Sequence, residues 1–187
     1  AIIKSQLANI QKVETENVQT KKEASYYLDF RDPKNAQKYF ISGNGIDGVS
    51  KAGEFALNSK GDKVIMGIYP AGIYSHLTST KHAAVLSTEF FKVQNANYLM
   101  NSAGEKSQAR TPVRNYPLSH GGLHPNQILQ NSNMPWQSAP GRWSYWLGEM
   151  AHFELRTAKE IIPYGGNDRS WFGITELYIG VKKLAPE

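Results

Sequence analysis

From Ala24 onward, apolar and aromatic residues come in short runs, each closed by Gly, Pro, Asn, Asp or Ser. The runs include Tyr26-Tyr27-Leu28-Asp29-Phe30, Lys38-Tyr39-Phe40-Ile41, Val64-Ile65-Met66-Gly67-Ile68-Tyr69, Ala83-Ala84-Val85-Leu86, Phe90-Phe91-Lys92-Val93 and Phe153-Glu154-Leu155. The last is Trp171-Phe172-Gly173-Ile174-Thr175-Glu176-Leu177-Tyr178-Ile179. Runs this short cannot bury a helical stripe, and their β-branched and aromatic content suits a pleated surface. Many short strands joined by turns imply a mainly β fold, an antiparallel β-sandwich or jelly-roll-like domain. At 187 residues and 40% hydrophobic content, the chain is large enough for one real core.

The first 23 residues have a different texture. Ile3, Leu7 and Ile10 follow i, i+4, i+7 spacing with Lys4, Gln6, Lys12 and Glu14 between them, which predicts a short N-terminal helix. The apolar stripe fades where Glu14 and Asn17 take the next heptad seats. The chain therefore divides into a helical lead-in or stalk end, residues 1–23, and a β domain, residues 24–187. The latter splits further into a hairpin-rich part, 24–106, and an aromatic-rich part, 107–187. Opening on Ala1 rather than Met, the chain reads as a processed product or an excised piece.

An internal echo marks the hairpin-rich part. Phe55-Ala56-Leu57-Asn58-Ser59-Lys60-Gly61-Asp62-Lys63 returns as Tyr98-Leu99-Met100-Asn101-Ser102-Ala103-Gly104-Glu105-Lys106. Asn-Ser-x-Gly suits a tight turn, since Asn bonds its own backbone and Gly accepts positive φ, so both copies are expected to be hairpins. Convergence of hairpins on such turns explains the echo as well as a repeated unit does. Between Ser107 and Ser138 the chain reads as one long irregular loop, a kind of segment that tends to be functional.

Several function classes find no support. The net charge is +5, but Lys21-Lys22 and Lys182-Lys183 are the only basic doublets, so no stripe for nucleic acid forms. Disulfides and thiolate metal sites are excluded because there is no cysteine. No apolar run approaches the ~20 residues of a membrane helix, so no membrane insertion is expected. His120-Gly121-Gly122-Leu123-His124 and Glu149-Met150-Ala151-His152 are the metal suspects, and Glu149 and His152 would share a face on a helix. Nothing joins them into a three- or four-ligand set, and no metal or other cofactor is expected. Asp47, in Gly43-Asn44-Gly45-Ile46-Asp47-Gly48, suits a plain turn better than calcium. Asp29 with Asp32, or Glu149 with Glu154, are the only acid pairs that suggest glycoside cleavage, and neither sits in a diagnostic context. The balance leans away from catalysis.

The remaining clue is aromatic. Met134-Pro135-Trp136-Gln137-Ser138-Ala139-Pro140-Gly141-Arg142-Trp143-Ser144-Tyr145-Trp146 holds three of the four tryptophans in a stretch broken by Pro and Gly. Strand alternation would put Trp143 and Tyr145 on one face and Trp146 on the other, so at least one indole leaves the core. Flat rings beside amide and guanidinium donors match sugars, which present C–H faces and dense hydroxyls. Trp136, Arg142, Trp143 and Trp146 are thus the expected glycan-contact residues, with Tyr164 and Asn167 of the Tyr164-Gly165-Gly166-Asn167-Asp168 turn as a second rim.

The order of these features resembles the distal end of bacteriophage tail fibres and tailspikes. It runs from a fading apolar stripe (Ile3, Leu7, Ile10) through Asn-Ser-x-Gly motifs at Asn58 and Asn101 to a Gly- and aromatic-rich β region and a last strand, Trp171 to Val181. The resemblance implies a homotrimeric tip at the virion surface, outside the cell, that recognises cell-surface polysaccharide or glycan without cleaving it. The alternatives are a polysaccharide-cleaving hydrolase or lyase using Glu149 and a second acid, and a purely structural trimerisation module with its aromatics buried between subunits.

Overall fold

The computed structural model describes residues 2–51, 55–60, 63–95, 97–116, 126–131, 134–139, 144–158 and 169–181. One helix, α1 (Ile2–Lys22), leads into β1 (Tyr26–Asp29), a 3-10 turn (Pro33–Lys38), β2 (Tyr39–Gly43) and β3 (Val49–Ser50). Next come β4 (Phe55–Lys60), β5 (Lys63–Ile68), β6 (Gly72–Tyr74), β7 (Ala84–Thr88), β8 (Phe91–Lys92), β9 (Tyr98–Glu105) and β10 (Ser107–Arg110). The chain continues with β11 (Asn126–Leu129), β12 (Trp136–Ala139), a second 3-10 turn (Ser144–Trp146), β13 (Met150–Ala151), β14 (Glu154–Arg156) and β15 (Trp171–Ile179).

Two antiparallel sheets hold most of these strands. The six-stranded sheet runs β12-β9-β15-β6-β3, with β1 beside the other half of β15; the five-stranded sheet runs β11-β10-β14-β7-β2. The chain steps repeatedly from one sheet to the other, at β6 to β7, β9 to β10 and β14 to β15. That is the connectivity of a jelly-roll-like sandwich, and the mainly β expectation holds. The inner faces meet in one core, in which Phe172, Ile174, Leu177 and Ile179 of β15 face Leu86, Ala109, Leu129 and Leu155 of the other sheet. Alternation explains the selection, since these side chains sit at every second position of their strands except at a bulge between Ile174 and Glu176.

Two expectations fail locally. The segment from Ser107 to Ser138 is not one long loop, because β10, β11 and most of β12 lie within it. Ser-Gln-Ala-Arg and Asn-Gln-Ile-Leu have weak strand propensity, and pairing with β14 and with each other decides their conformation. The echo also divides. β4 and β5 do form a hairpin, but Asn58 lies opposite Ile65 inside the ladder and the connection follows Lys60.

The second copy is no hairpin at all. Asn101 to Gly104 are strand residues of β9, and the chain turns only at Lys106 (φ 50°) to enter the opposite sheet. Asn101 is used sideways instead: its Nδ2 donates to the Met134 carbonyl at 2.6 Å and its Oδ1 accepts from Thr175 Oγ1 at 2.6 Å. Gly104 is needed for space, not for positive φ. A Cβ there would stand 2.5 Å from Ser107 Oγ, 2.7 Å from the Trp171 carbonyl oxygen and 2.9 Å from Leu129 Cβ.

The outer face of the six-stranded sheet carries its own apolar cover. Trp171, Tyr69, Tyr74 and Ala103 form one cluster, and Leu99, Tyr178 and Val181 another. His76, 4% exposed, lies 4.1 Å from the Trp171 ring and edge-on to Tyr69 and Tyr74. Neither of its ring nitrogens has a partner among the described residues. Burial pushes its pKa down from 6.5 to about 4, so it packs as a neutral ring at neutral pH.

Two outcomes follow from this packing. Gly104→Ala forces a methyl against backbone and should cost about 1–3 kcal/mol, read as a lower urea midpoint at unchanged m-value. Between pH 6.5 and 4 the unfolded chain takes a proton that folded His76 refuses, so stability falls over that window by roughly 3 kcal/mol from this group and flattens below it. His76→Leu leaves no hydrogen bond unmade and should shrink the loss of urea midpoint between pH 7 and pH 4.5; an unchanged loss refutes the assignment.

Candidate functional site

Of the tryptophan cluster, Trp136 and Trp146 are described, and they lie in different places. Trp146 is 6% exposed and belongs to the main core, with Tyr116 edge-on to it at 4.3 Å. The segment around it is a 3-10 turn and not a strand, so the alternation expected of it does not apply. Its ring has almost no face to give a ligand, whereas Tyr145 beside it is 87% exposed. Arg142, Trp143, Tyr164 and Asn167 lie outside the described residues, as do His120 and His124.

Trp136 opens β12, an edge strand, and is half-buried. Its ring is 5.9 Å from Tyr178, which stacks on Tyr27 at 4.5 Å. Lys21 Nζ, from the last turn of α1, stands 5.3 Å from the Trp136 ring and 5.6 Å from that of Tyr178. Trp136 thus helps seat the end of the helix on the sheet. Beneath, Glu176 accepts from the Tyr27 hydroxyl (3.1 Å), the Tyr178 hydroxyl (2.7 Å) and Arg31 Nη2 (3.0 Å). Burial and the neighbouring carboxylate push the Tyr178 hydroxyl pKa far up. This face is closed at its centre, with Tyr178 at 2% and Glu176 at 6% exposure.

The outer face of the five-stranded sheet differs. Residues opposite one another across paired strands share a face. One row therefore joins Phe40, Ser87, Glu154 and Arg110, and the next joins Ser42, Val85, Arg156, Gln108 and Ile128. The inner partners of these positions, Leu86, Ala109 and Leu155, are all in the core. Exposure climbs from Glu154 at the centre (8%) to Phe40 (70%) and Ile128 (40%) at the two edges, so this face is a trough only in the sense of a shielded polar centre between two exposed apolar borders. Five strands span roughly 19 Å at ~4.8 Å spacing.

The trough is wired in advance. Arg110 Nε donates to Glu154 Oε1, and His152 Nε2 lies 3.7 Å from Glu154 Oε2. Arg156 donates through Nε, at 2.7 Å, and through Nη2 to the single oxygen of Gln108. His152 is edge-on to Phe90, 48% exposed, and the Arg114 guanidinium lies 5.8 Å over that ring. Phe40 and Phe90 thus flank a field of guanidinium, amide and hydroxyl groups whose geometry is set before any ligand arrives.

Burial alone would raise the Glu154 carboxyl pKa, but the neighbouring His152 ring and the hydrogen bond from Arg110 hold it below the ordinary carboxylate value. A glycosidase acid needs the opposite shift. Glu149 is exposed on the turn before β13, with its N–H donating to the Trp146 carbonyl oxygen, so no helix places it beside His152. Arg31 chelates Asp29 through Nε and Nη2, both at 2.8 Å, and Asp32 Oδ1 caps the 3-10 turn by accepting from Lys34 N–H. Each acid that the sequence offered for catalysis, in the described residues, is thus tied to a structural task or stands apart. Asp47 is exposed, and among the described residues no three metal-type side chains gather.

No protein-family model matches the chain, and no curated protein matches it. Among solved structures it is similar to the carbohydrate-binding module TmCBM61 in complex with beta-1,4-galactotriose, at 14% identity and a TM-score of 0.40. That alignment covers 75% of this chain and 86% of the module. It is also similar to a family two carbohydrate esterase from Cellvibrio japonicus, at 12% identity and a TM-score of 0.32, over 80% of this chain and 36% of the esterase.

Proposed function

We propose that this chain is a carbohydrate-recognition domain and that the outer face of the five-stranded sheet is its binding surface. The observation that carries the reading is the trough itself. Arg110, Glu154, Arg156 and Gln108 are held in two cross-strand rows, with the exposed ring of Phe40 at one edge. A sugar offers alternating hydroxyls to such a network and a C–H face to the ring, and a rigid network loses little entropy on binding. Trp136 supports the helix seat in this reading and is not the primary contact.

The finer setting, a homotrimeric fibre or spike tip at a virion surface, is part of the proposal. Its support is the helical lead-in, which touches the sheet through Lys21 near its end and leaves Val18 52% exposed. An exposed apolar residue on such a helix is what a three-stranded entry would cover.

A glycan array should yield a binding class, and Phe40→Ala should weaken it about tenfold, since one aromatic contact is worth ~1.5 kcal/mol. The melting temperature should stay unchanged, because Phe40 is 70% exposed. If Trp136→Ala abolishes binding while Phe40→Ala does not, the surface is the other sheet. Light scattering should give a mass three times that of the 20.9 kDa chain; a monomer at micromolar concentration removes the trimeric setting and leaves recognition standing.

A further inference from the structure

Among the described residues the trough and its His152 end carry the guanidiniums of Arg110, Arg156 and Arg114. Glu154 is the carboxylate set among them, bonded to Arg110. Glu89 lies at the same end of the sheet, within 3.4 Å of the Tyr26 hydroxyl, which donates to it. Guanidiniums therefore outnumber carboxylates on this face, in a chain whose overall formal charge is +5.

The kind of cation is informative. Guanidinium presents a rigid planar fork that matches the two oxygens of a carboxylate, while lysine offers only a point charge. Arg156 is held by Gln108 through Nε and Nη2, which fixes the position of the guanidinium over its own row. Phe40 of β2 and Val85 of β7 are diagonal neighbours in the two adjacent rows, placing apolar surface beside the arginines for a pyranose ring.

We propose that the trough selects acidic saccharides, namely uronate-containing oligomers, with the carboxylate of one sugar received by the Arg156 guanidinium. Carbohydrate recognition on this face is the reading on which the selection rests. Net positive charge across the surface would also speed encounter with an anionic polysaccharide, an effect that weakens with salt.

The test is calorimetric titration of the whole chain with short oligomers of galacturonate, glucuronate and mannuronate, and with the same oligomers after reduction of their carboxyl groups. At least one acidic series should bind, and its reduced form should bind ten or more times more weakly. Arg156→Gln should lose that preference, Arg156→Lys should restore only part of it, and Lys12→Gln on α1 should leave it intact. Equal binding of acidic and reduced oligomers, or binding of neutral glycans alone on the array, overturns acid selection while carbohydrate recognition survives. No binding to any saccharide ends both. Acidic binding that Arg156→Gln and Lys12→Gln weaken alike is adsorption to a basic surface and overturns the assignment to the trough.

Discussion

Everything in this domain is built outward from β15, whose nine residues are buried from end to end. On one side it pairs with β9 along its whole length; on the other it pairs with β6 near its start and β1 near its end. Its inward residues fill the space between the sheets, and its outward ones, Trp171 and Tyr178, anchor the two clusters on the back. A strand buried on both faces is largely apolar on both, and its one carboxylate, Glu176, is tolerated there because Tyr27, Tyr178 and Arg31 bond it. The tight approach of Gly173 to the Tyr74 ring and of Gly104 to the Trp171 backbone shows how little spare volume surrounds it.

That arrangement separates the tasks of the two sheets. The six-stranded sheet is sheltered on both sides, and its polar groups serve as internal ties: Glu176 with Tyr27, Tyr178 and Arg31, and Asn101 with Met134 and Thr175. Burying such groups is tolerable only because each has partners. The five-stranded sheet has one buried face and one that opens at both edges. Its polar groups are networked too, but they lie on a surface a ligand can reach.

Legibility in the sequence followed the range of the interactions concerned. The helix, the strands around Tyr26, Phe40, Leu86 and Phe91, and the long last strand were readable because local patterning and burial agree there. β10, β11 and β12 were missed because Ser107-Gln-Ala-Arg110 and its partners become strands only when flanking strands supply the hydrogen bonds. The Asn-Ser-x-Gly echo misled for a related reason. One copy flanks a hairpin connection, and the other lies within a central strand where the same glycine is required by a neighbour's backbone.

The face proposed as a binding surface was hidden more deeply, although traces were present. Gln108-Ala109-Arg110 and Glu154-Leu155-Arg156 each alternate polar, apolar, polar, the signature of strands with one wet face. Sequence alone determined the mainly β character, the helical lead-in and the richness in aromatic and basic groups, since these follow from composition and short-range periodicity. It could not determine that Phe40, Arg110, Glu154 and Arg156 share one surface, nor that Trp146 is core. Those facts depend on which strands pair and in what register, and register is set by contacts between residues far apart in the chain.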